Sequence, residues 1–264
     1  MGVGTRDIPR LESSTSMMKI KEVKAKTILS KSQVSDYAVN AYVGCQHACA
    51  YCYAKFMKRF TGHKEEWGAF VDVKVNAPEL LAREVKKKKV GRVWISGVCD
   101  PYQPLERKYR LTRKCLEVLV ENGWPVRVQT KSPLVLRDID ILKRSADAEV
   151  GFTITTADER MRKIFEPGAP PIVKRIEALE TLHTARIRTF AMIAPLLPGA
   201  EGLPGLLKGT VGHVLVDRLN YHYADAVYKK FGMQWAMKDS FFREKGDELK
   251  KAFERNGIPC QVLF

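Results

Sequence analysis

The chain reads as an α/β protein with strands paired in parallel, and three observations predict that class. Short apolar or β-branched runs recur, among them Arg92-Val-Trp-Ile-Ser96, Pro125-Val-Arg-Val-Gln-Thr130, Glu149-Val-Gly-Phe-Thr-Ile-Thr155, Arg188-Thr-Phe-Ala-Met-Ile-Ala194 and His213-Val-Leu-Val216. Most are followed by sequence of helical spacing, with crossovers long enough to bring the chain back for parallel pairing. No glycine-rich phosphate loop follows the first strand; a loop of cysteines stands in its place. Two architectures satisfy this pattern, an open doubly wound sheet or a barrel.

Each element has a local reason. Residues 1–36 are polar, with Ser13-Ser14-Thr15-Ser16 and alternating lysines, and are expected to lie as an extension over the main body. About the first fifteen residues are expected to lack order. A strand over Tyr37 to Val43 leads into the cysteine loop, and Tyr53 to Phe60 continues as a helix. Phe70-Val-Asp-Val-Lys-Val75 has period two, and Asn76 with Pro78 opens the next helix as cap and first-turn residue. The strand at 92–96 ends at Gly97. Leu111, Cys115, Leu116 and Leu119 form one face of a helix from Leu111 to Glu121, which Asn122-Gly123 stops. A strand at 125–130 precedes a helix from Leu134 to Ser145. Ile172, Ile176, Leu179 and Leu182 then mark a helix from Ile172 to Thr184 between the strands at 149–155 and 188–194. Residues 37–220 form the main body. Residues 221–264 form a closing helical segment, with Phe242, Leu249 and Phe253 on one helix face.

Composition bounds the function. A chain of 264 residues buries a substantial core, and one main domain is the default. No run approaches the roughly 20 apolar residues needed to span a bilayer, so no membrane association is expected. Six cysteines without a charged-then-apolar leader do not look like a secreted disulfide scaffold, and a reducing, cytoplasmic compartment is expected. Lys and Arg total 45 against 30 Asp and Glu, a net charge of +15 that raises nucleic acid, DNA or RNA, as a partner. Lys86 to Lys89 are a solvated run at a helix end. The remaining cations spread over Lys19 to Lys31, over Lys55, Lys58 and Arg59, and over Lys229 to Lys245.

The densest chemistry is in Gly44-Cys-Gln-His-Ala-Cys-Ala-Tyr-Cys-Tyr-Ala54, where Cys45, Cys49 and Cys52 lie close together and the next cysteine is Cys99. Structural zinc takes four protein ligands and electron-carrying cubane clusters usually take four thiolates, so three suggest a metal centre with a position open to a reactant. Zinc completed by His47, His63, Cys99 or a distant cysteine satisfies the same spacing, and so do buried cysteines without a metal. The strand ends are also loaded: Ser96, Gly97, Cys99, Asp100 and Tyr102 after one strand, Thr130 and Lys131 after the next, then Thr153, Thr155 and Thr156, then Ala194-Pro195. Ligands of parallel α/β proteins bind at the carboxyl ends of strands, so these groups predict a pocket for a small polar molecule. Singly, Asp100 reads equally as a turn cap, Lys131 as a solvated cation and the threonines as strand formers.

The triplet Cys45-X3-Cys49-X2-Cys52, with Tyr51 before its last cysteine, resembles the signature of the radical S-adenosylmethionine superfamily. Together with Cys99-Asp-Pro-Tyr-Gln-Pro-Leu-Glu106, Thr130-Lys-Ser-Pro-Leu-Val-Leu-Arg-Asp138 and Ile193-Ala-Pro-Leu-Leu-Pro-Gly199 it resembles the spore photoproduct lyase-like branch, over residues 37–220. The resemblance implies a partial (β/α)6 TIM-type barrel with a 4Fe-4S cluster at its mouth, held by Cys45, Cys49 and Cys52. It implies S-adenosylmethionine as cofactor, with Ser96, Gly97 and Asp100 near its amino group and Lys131, after Thr130, near its carboxylate. Thr155 or Thr156 would meet the ribose, and Tyr51 and Ala194 would border the adenine. The family's usual Gly-Glu pair after the second strand is absent. Cys99 falls where the branch carries a hydrogen-donating cysteine, and Tyr102 or Tyr53 where a tyrosine could relay a radical; a buried spectator is the plain alternative for Cys99.

Two tasks fit this reading. One is hydrogen abstraction from a nucleic-acid lesion or base, with Tyr221, Tyr223, Tyr228, Phe231 and Trp235 among lysines able to stack on it. Those aromatics read equally as the packing face of a terminal helix. The other is modification of a protein, peptide or small metabolite, the positive charge then recruiting an acidic electron donor such as flavodoxin or ferredoxin. A noncatalytic iron-sulfur or zinc protein is the remaining class.

Overall fold

A computed structural model describes residues 18–264, and the disorder expected for the leading residues falls outside them. Among the described residues, eleven strands run in chain order as β1 Lys19–Val23, β2 Leu29–Lys31, β3 Tyr37–Val39, β4 Tyr42–Val43, β5 Phe70–Lys74, β6 Val93–Ile95, β7 Val126–Thr130, β8 Ala148–Thr153, β9 Arg188–Ile193, β10 His213–Val216 and β11 Cys260–Val262. Side chains alternate across a strand, and β7 shows it: Val126, Val128 and Thr130 are buried while Arg127 and Gln129 are half-buried. The helices Leu111–Glu121 and Ile172–Thr184 occupy the expected residues and bury the expected leucines. Each such leucine contributes about 2 kcal/mol by leaving water.

Eight strands form one sheet in the order β11-β10-β9-β8-β7-β6-β3-β2. Every neighbouring pair is parallel except β2 and β3. Its two end strands do not pair with each other, so the architecture is a partial barrel. The remaining strands form a small sheet in the order β1-β5-β4.

The structure departs from expectation in four places. The strand expected over Tyr37 to Val43 is broken at Asn40: β3 joins the large sheet while β4 pairs with β5. The run at Phe70 belongs to the small sheet, where it also pairs with β1 from the basic leading segment. The helix expected over Leu134 to Ser145 is two short turns, Pro133–Asp138 and Ile139–Leu142. The chain tightens there because Asp138, fully buried, accepts from Tyr102 Oη and from Arg113. Lastly, the segment after 221 carries more than a helix. Asp239–Arg255 buries Phe242, Leu249 and Phe253, and β11 then extends the sheet beside β10.

The amino-terminal half of the sheet is filled. The Arg127 guanidinium lies 4.3 Å from the Phe190 ring centroid and 5.7 Å from that of Trp94, and pairs with Glu149 at 2.9 Å. Phe190 lies over Gly151, where a Cβ would come within 2.1 Å of the ring. A hollow of about 540 Å³ opens beneath, at the amino ends of β8 to β10 and away from the cysteine loop. The carboxyl ends are left for the chemistry. Among the described residues no helix is long and apolar enough to cross a membrane.

Candidate metal centre and cofactor pocket

The cysteine loop begins where β4 ends. Gly44 turns the chain with φ +87°, and a Cβ there would sit 2.3 Å from the Phe70 carbonyl oxygen, so only glycine fits. Two tight turns follow, the Ala48 N–H donating to the Cys45 carbonyl and the Cys52 N–H to that of Cys49, each at 3.2 Å. Cys45 and Cys49 are buried, Cys52 is half-buried, and all three are free thiols. Burial pushes the Cys49 thiol up to about 12 and raises Cys45 and Cys52 as well. As bare thiols they hold their protons; a bound metal is what would draw the protons off and give the thiolates a partner. The donor set therefore fits an iron-sulfur cluster. Among the described residues no three His, Cys, Asp or Glu side chains gather as a single-ion site would.

Groups that the sequence did not flag fix the loop in place. Gln103 accepts from the Gln46 N–H at 3.0 Å and donates to the Gly44 carbonyl at 3.2 Å, while Gln46 accepts from the Leu105 N–H at 2.7 Å. These paired amides lace the cysteine loop to the loop after β6. From the other side the Ala50 N–H donates to the Phe165 carbonyl and the Gly168 N–H to the His47 carbonyl. A Cβ on Gly168 would lie 2.3 Å from the Gln46 carbonyl oxygen, so the two loops touch backbone to backbone.

Behind the cysteines lies a buried polar set. Tyr51 and Thr155 both donate hydroxyl hydrogen bonds to Glu166 Oε1, Thr155 at 3.1 Å. Glu166 pairs with Arg175 at 2.5 Å, and neither side chain is exposed. Burial drives the Glu166 carboxyl upward, but Arg175 and Lys131 outweigh it and hold it down at about 2. Lys131 is half-buried, with its ammonium 5.6 Å from the Tyr51 ring centroid. Burial lowers its pKa, Cys49 and Glu166 raise it, and the net direction is up. It makes no ion pair among the described residues, so its charge faces the site uncommitted. Arg175 had a signal in the sequence, a charge on the apolar face of the helix Ile172–Thr184. Glu166 had none, because a single loop carboxylate carries no local mark of Tyr51, which lies far from it in the chain.

The loop after β6 holds the other expected residues. Asn40, at the break between β3 and β4, accepts at Oδ1 from the Gly97 and Val98 N–H groups and from Ser96 Oγ at 2.6 Å. Ser96 Oγ also lies 3.1 Å from Cys99 Sγ, and burial pushes the Cys99 thiol up to about 12. The Gly97 carbonyl accepts from Tyr53 Oη. Asp100 accepts from Thr130 Oγ1 at 2.6 Å and from the Lys131 and Tyr102 N–H groups, tying this loop to the end of β7. Burial raises the Asp100 carboxyl, but His47 beside it and those hydrogen bonds hold it well below the carboxylate range. His47 Nδ1 is 3.3 Å from Asp100 Oδ2, attracted but out of line for a hydrogen bond.

Two expected residues stand differently. Tyr102 Oη donates to Asp138, beneath the Arg137 guanidinium, so its hydroxyl is turned into a structural ion-pair network. Thr156 Oγ1 donates to the Pro198 carbonyl and takes the Asp158 N–H, so it shapes a turn and leaves Thr155 as the hydroxyl beside Glu166. Ala194 is half-buried just past β9. His63, one of the alternative ligands, is held between Glu65 and Asp72.

Known proteins are similar to this chain in sequence or in fold. An uncharacterized protein of Methanocaldococcus jannaschii is 38% identical over 185 residues, which is 69% of this chain and 70% of that protein. An uncharacterized protein of Acidianus two-tailed virus is 32% identical over 176 residues, 63% of this chain and 58% of that protein. Among solved structures, spore photoproduct lyase complexed with dinucleoside spore photoproduct aligns with a TM-score of 0.70 at 16% identity, covering 93% of this chain and 82% of that one. Streptococcus suis SuiB bound to precursor peptide SuiA aligns at 0.54 and 12% identity, covering 94% of this chain and 49% of that one. At these identities the likeness is one of fold. The radical SAM superfamily is matched over residues 39–201, a span that takes in the cysteine loop and the strand ends around it, and the chain belongs to that superfamily.

Proposed function

We propose that the chain is a radical S-adenosylmethionine enzyme in which Cys45, Cys49 and Cys52 hold a 4Fe-4S cluster and the cofactor binds beside it, at the carboxyl ends of β6 to β9. The observation that carries this reading is the loop of three free thiols, two buried and one half-buried, pinned at the strand ends next to the uncommitted Lys131. When bound, the cluster and cofactor supply a 5'-deoxyadenosyl radical that takes a hydrogen atom from the substrate.

The chain's own residues would bind, orient and shield. Lys131 offers its ammonium to the methionine carboxylate, a charge-assisted contact. Thr155 and Tyr51, fixed by Glu166, border the ribose and adenine with Ala194. Asp100, Thr130 and Asn40 hold the Ser96-Gly97 loop in position for the amino group. Cys99, whose thiol burial keeps protonated, would return a hydrogen atom to the product radical. Tyr102 is assigned to the scaffold, because its hydroxyl is engaged by Asp138. The substrate we favour is a nucleic-acid lesion or base, supported by the net charge of +15. The same charge suits an acidic electron donor such as flavodoxin or ferredoxin. The SuiB likeness keeps a peptide as the second reading.

Anaerobic reconstitution of the full chain tests the proposal. About four irons per chain and release of 5'-deoxyadenosine on reduction are expected, with both lost in Cys49→Ala. Zinc uptake without cleavage would overturn it.

A further inference from the structure

Four aromatic rings line up where the mouth of the partial barrel meets solvent. Tyr53 directly follows Cys52, and Tyr221 and Tyr223 lie in the loop after β10. The Tyr53 and Tyr221 centroids are 6.1 Å apart with planes 22° from parallel, and those of Tyr221 and Tyr223 are 6.0 Å apart at 17°. Phe56 continues the row, 6.5 Å from Tyr53 at 25°. All are offset-stacked spacings. Tyr53, Tyr221 and Tyr223 are 43%, 50% and 41% exposed, a large apolar area left in water by rings that no core requires.

The row joins the cysteine loop, which follows β4 of the small sheet, to the segment after β10, next to the β11 end of the large sheet. It also touches the reaction site, since Tyr53 Oη donates to the Gly97 carbonyl. Cations accompany it: Lys55 lies 5.6 Å from the Tyr223 centroid and Arg59 5.5 Å from that of Phe56, while Lys229 and Lys230 are exposed on the following helix. The nearby acid Asp225 is engaged by His222 at 3.0 Å. The other aromatics flagged in the sequence do not join: Tyr228 is fully buried and Trp235 packs on Phe241.

We propose that this row is a stacking platform for single-stranded nucleic acid, which presents an unpaired base to the site beside Cys52 and Gly97. The ring surface that this offset row leaves in water accepts the face of any base, and the flanking lysines and arginine follow the phosphates. The proposal rests on the radical SAM reading and adds the strand state of its substrate. A base inside a duplex cannot stack on the rings, so single strands or locally opened sites are what bind.

The test is binding of fluorescent oligothymidylate, the corresponding duplex and polyglutamate to the reconstituted full chain, with 5'-deoxyadenosine formation followed separately on the same preparations. The single strand is expected to bind more tightly than the duplex. Tyr221→Ala with Tyr223→Ala should weaken it by about tenfold per ring, with the salt slope unchanged, and the corresponding Phe variants should restore it. Lys229→Ala with Lys230→Ala should instead make the salt slope shallower, by about 0.7 for each phosphate no longer neutralised. Equal affinity in the Ala variant, preference for duplex, or tighter binding of polyglutamate overturns the platform. Cofactor cleavage in those same preparations would leave the enzyme reading intact, and its absence would remove that reading as well.

Discussion

Glu166 and Arg175 face each other where neither reaches water, and the pair shows how single residues hold this site. Removing one partner strands the other as a buried charge, so Arg175→Met is expected to destabilise the chain by about 3–5 kcal/mol in urea unfolding. Replacing both with apolar residues should cost less. The pH dependence has a definite sign. The Glu166 carboxyl is held at about 2 against its usual 4.5, so the stability it contributes is complete above 4.5 and is lost as pH falls through about 2. Asp100, also depressed, acts in the same direction. Urea midpoints measured at falling pH should drop over that window in the native chain and drop less in Glu166→Gln. At this scale the sequence singled out residues that stand in a local pattern, Cys45, Cys49, Cys52 and Lys131, and the fold brings Lys131 beside Tyr51 of the cysteine loop. It was silent about Glu166, Gln103 and Asn40: Tyr51, Gln46 and the Gly97 backbone, which they respectively engage, are distant in the chain, and these residue types are common in loops.

The cysteine loop is the element on which the site depends, and backbone contacts set its shape more than side chains do. Gly168→Ala would force the 165–168 segment away from Gln46. The expected outcome is a folded chain, near-native by circular dichroism, that incorporates well under one cluster when its iron is assayed. Gln103→Leu should act likewise, since it leaves the Gln46 N–H and Gly44 carbonyl unpaired. The helices Leu111–Glu121 and Ile172–Thr184 were legible because an apolar face at helical spacing is a local property. The break at Asn40 was not, because it depends on β4 finding β5 and on Asn40 capping the Gly97 backbone. The short turns at 133–142 escaped for a similar reason: Asp138 is drawn inward by Tyr102 and Arg113, and tertiary partners override helix periodicity.

Across the whole molecule, parallel strands collect polar groups at one end, and an incomplete barrel leaves that end open at one side. The open side needs a protected edge. β11 supplies it by pairing with β10, and the Leu263 N–H donates to the Val216 carbonyl. Deleting residues 259–264 should expose β10 as an unpaired edge and produce aggregation by light scattering on warming. The alternation of strands and helices made the α/β class and its parallel pairing readable. The small sheet was not readable, since β1 and β4 pair only with the distant β5. What the three thiols hold decides the function of the whole. Iron, sulfide and 5'-deoxyadenosine should be quantified in one anaerobically reconstituted, reduced sample of the native chain supplied with S-adenosylmethionine. About four irons per chain with cofactor cleavage is the predicted result; a stable zinc complex with the cofactor left intact would contradict it.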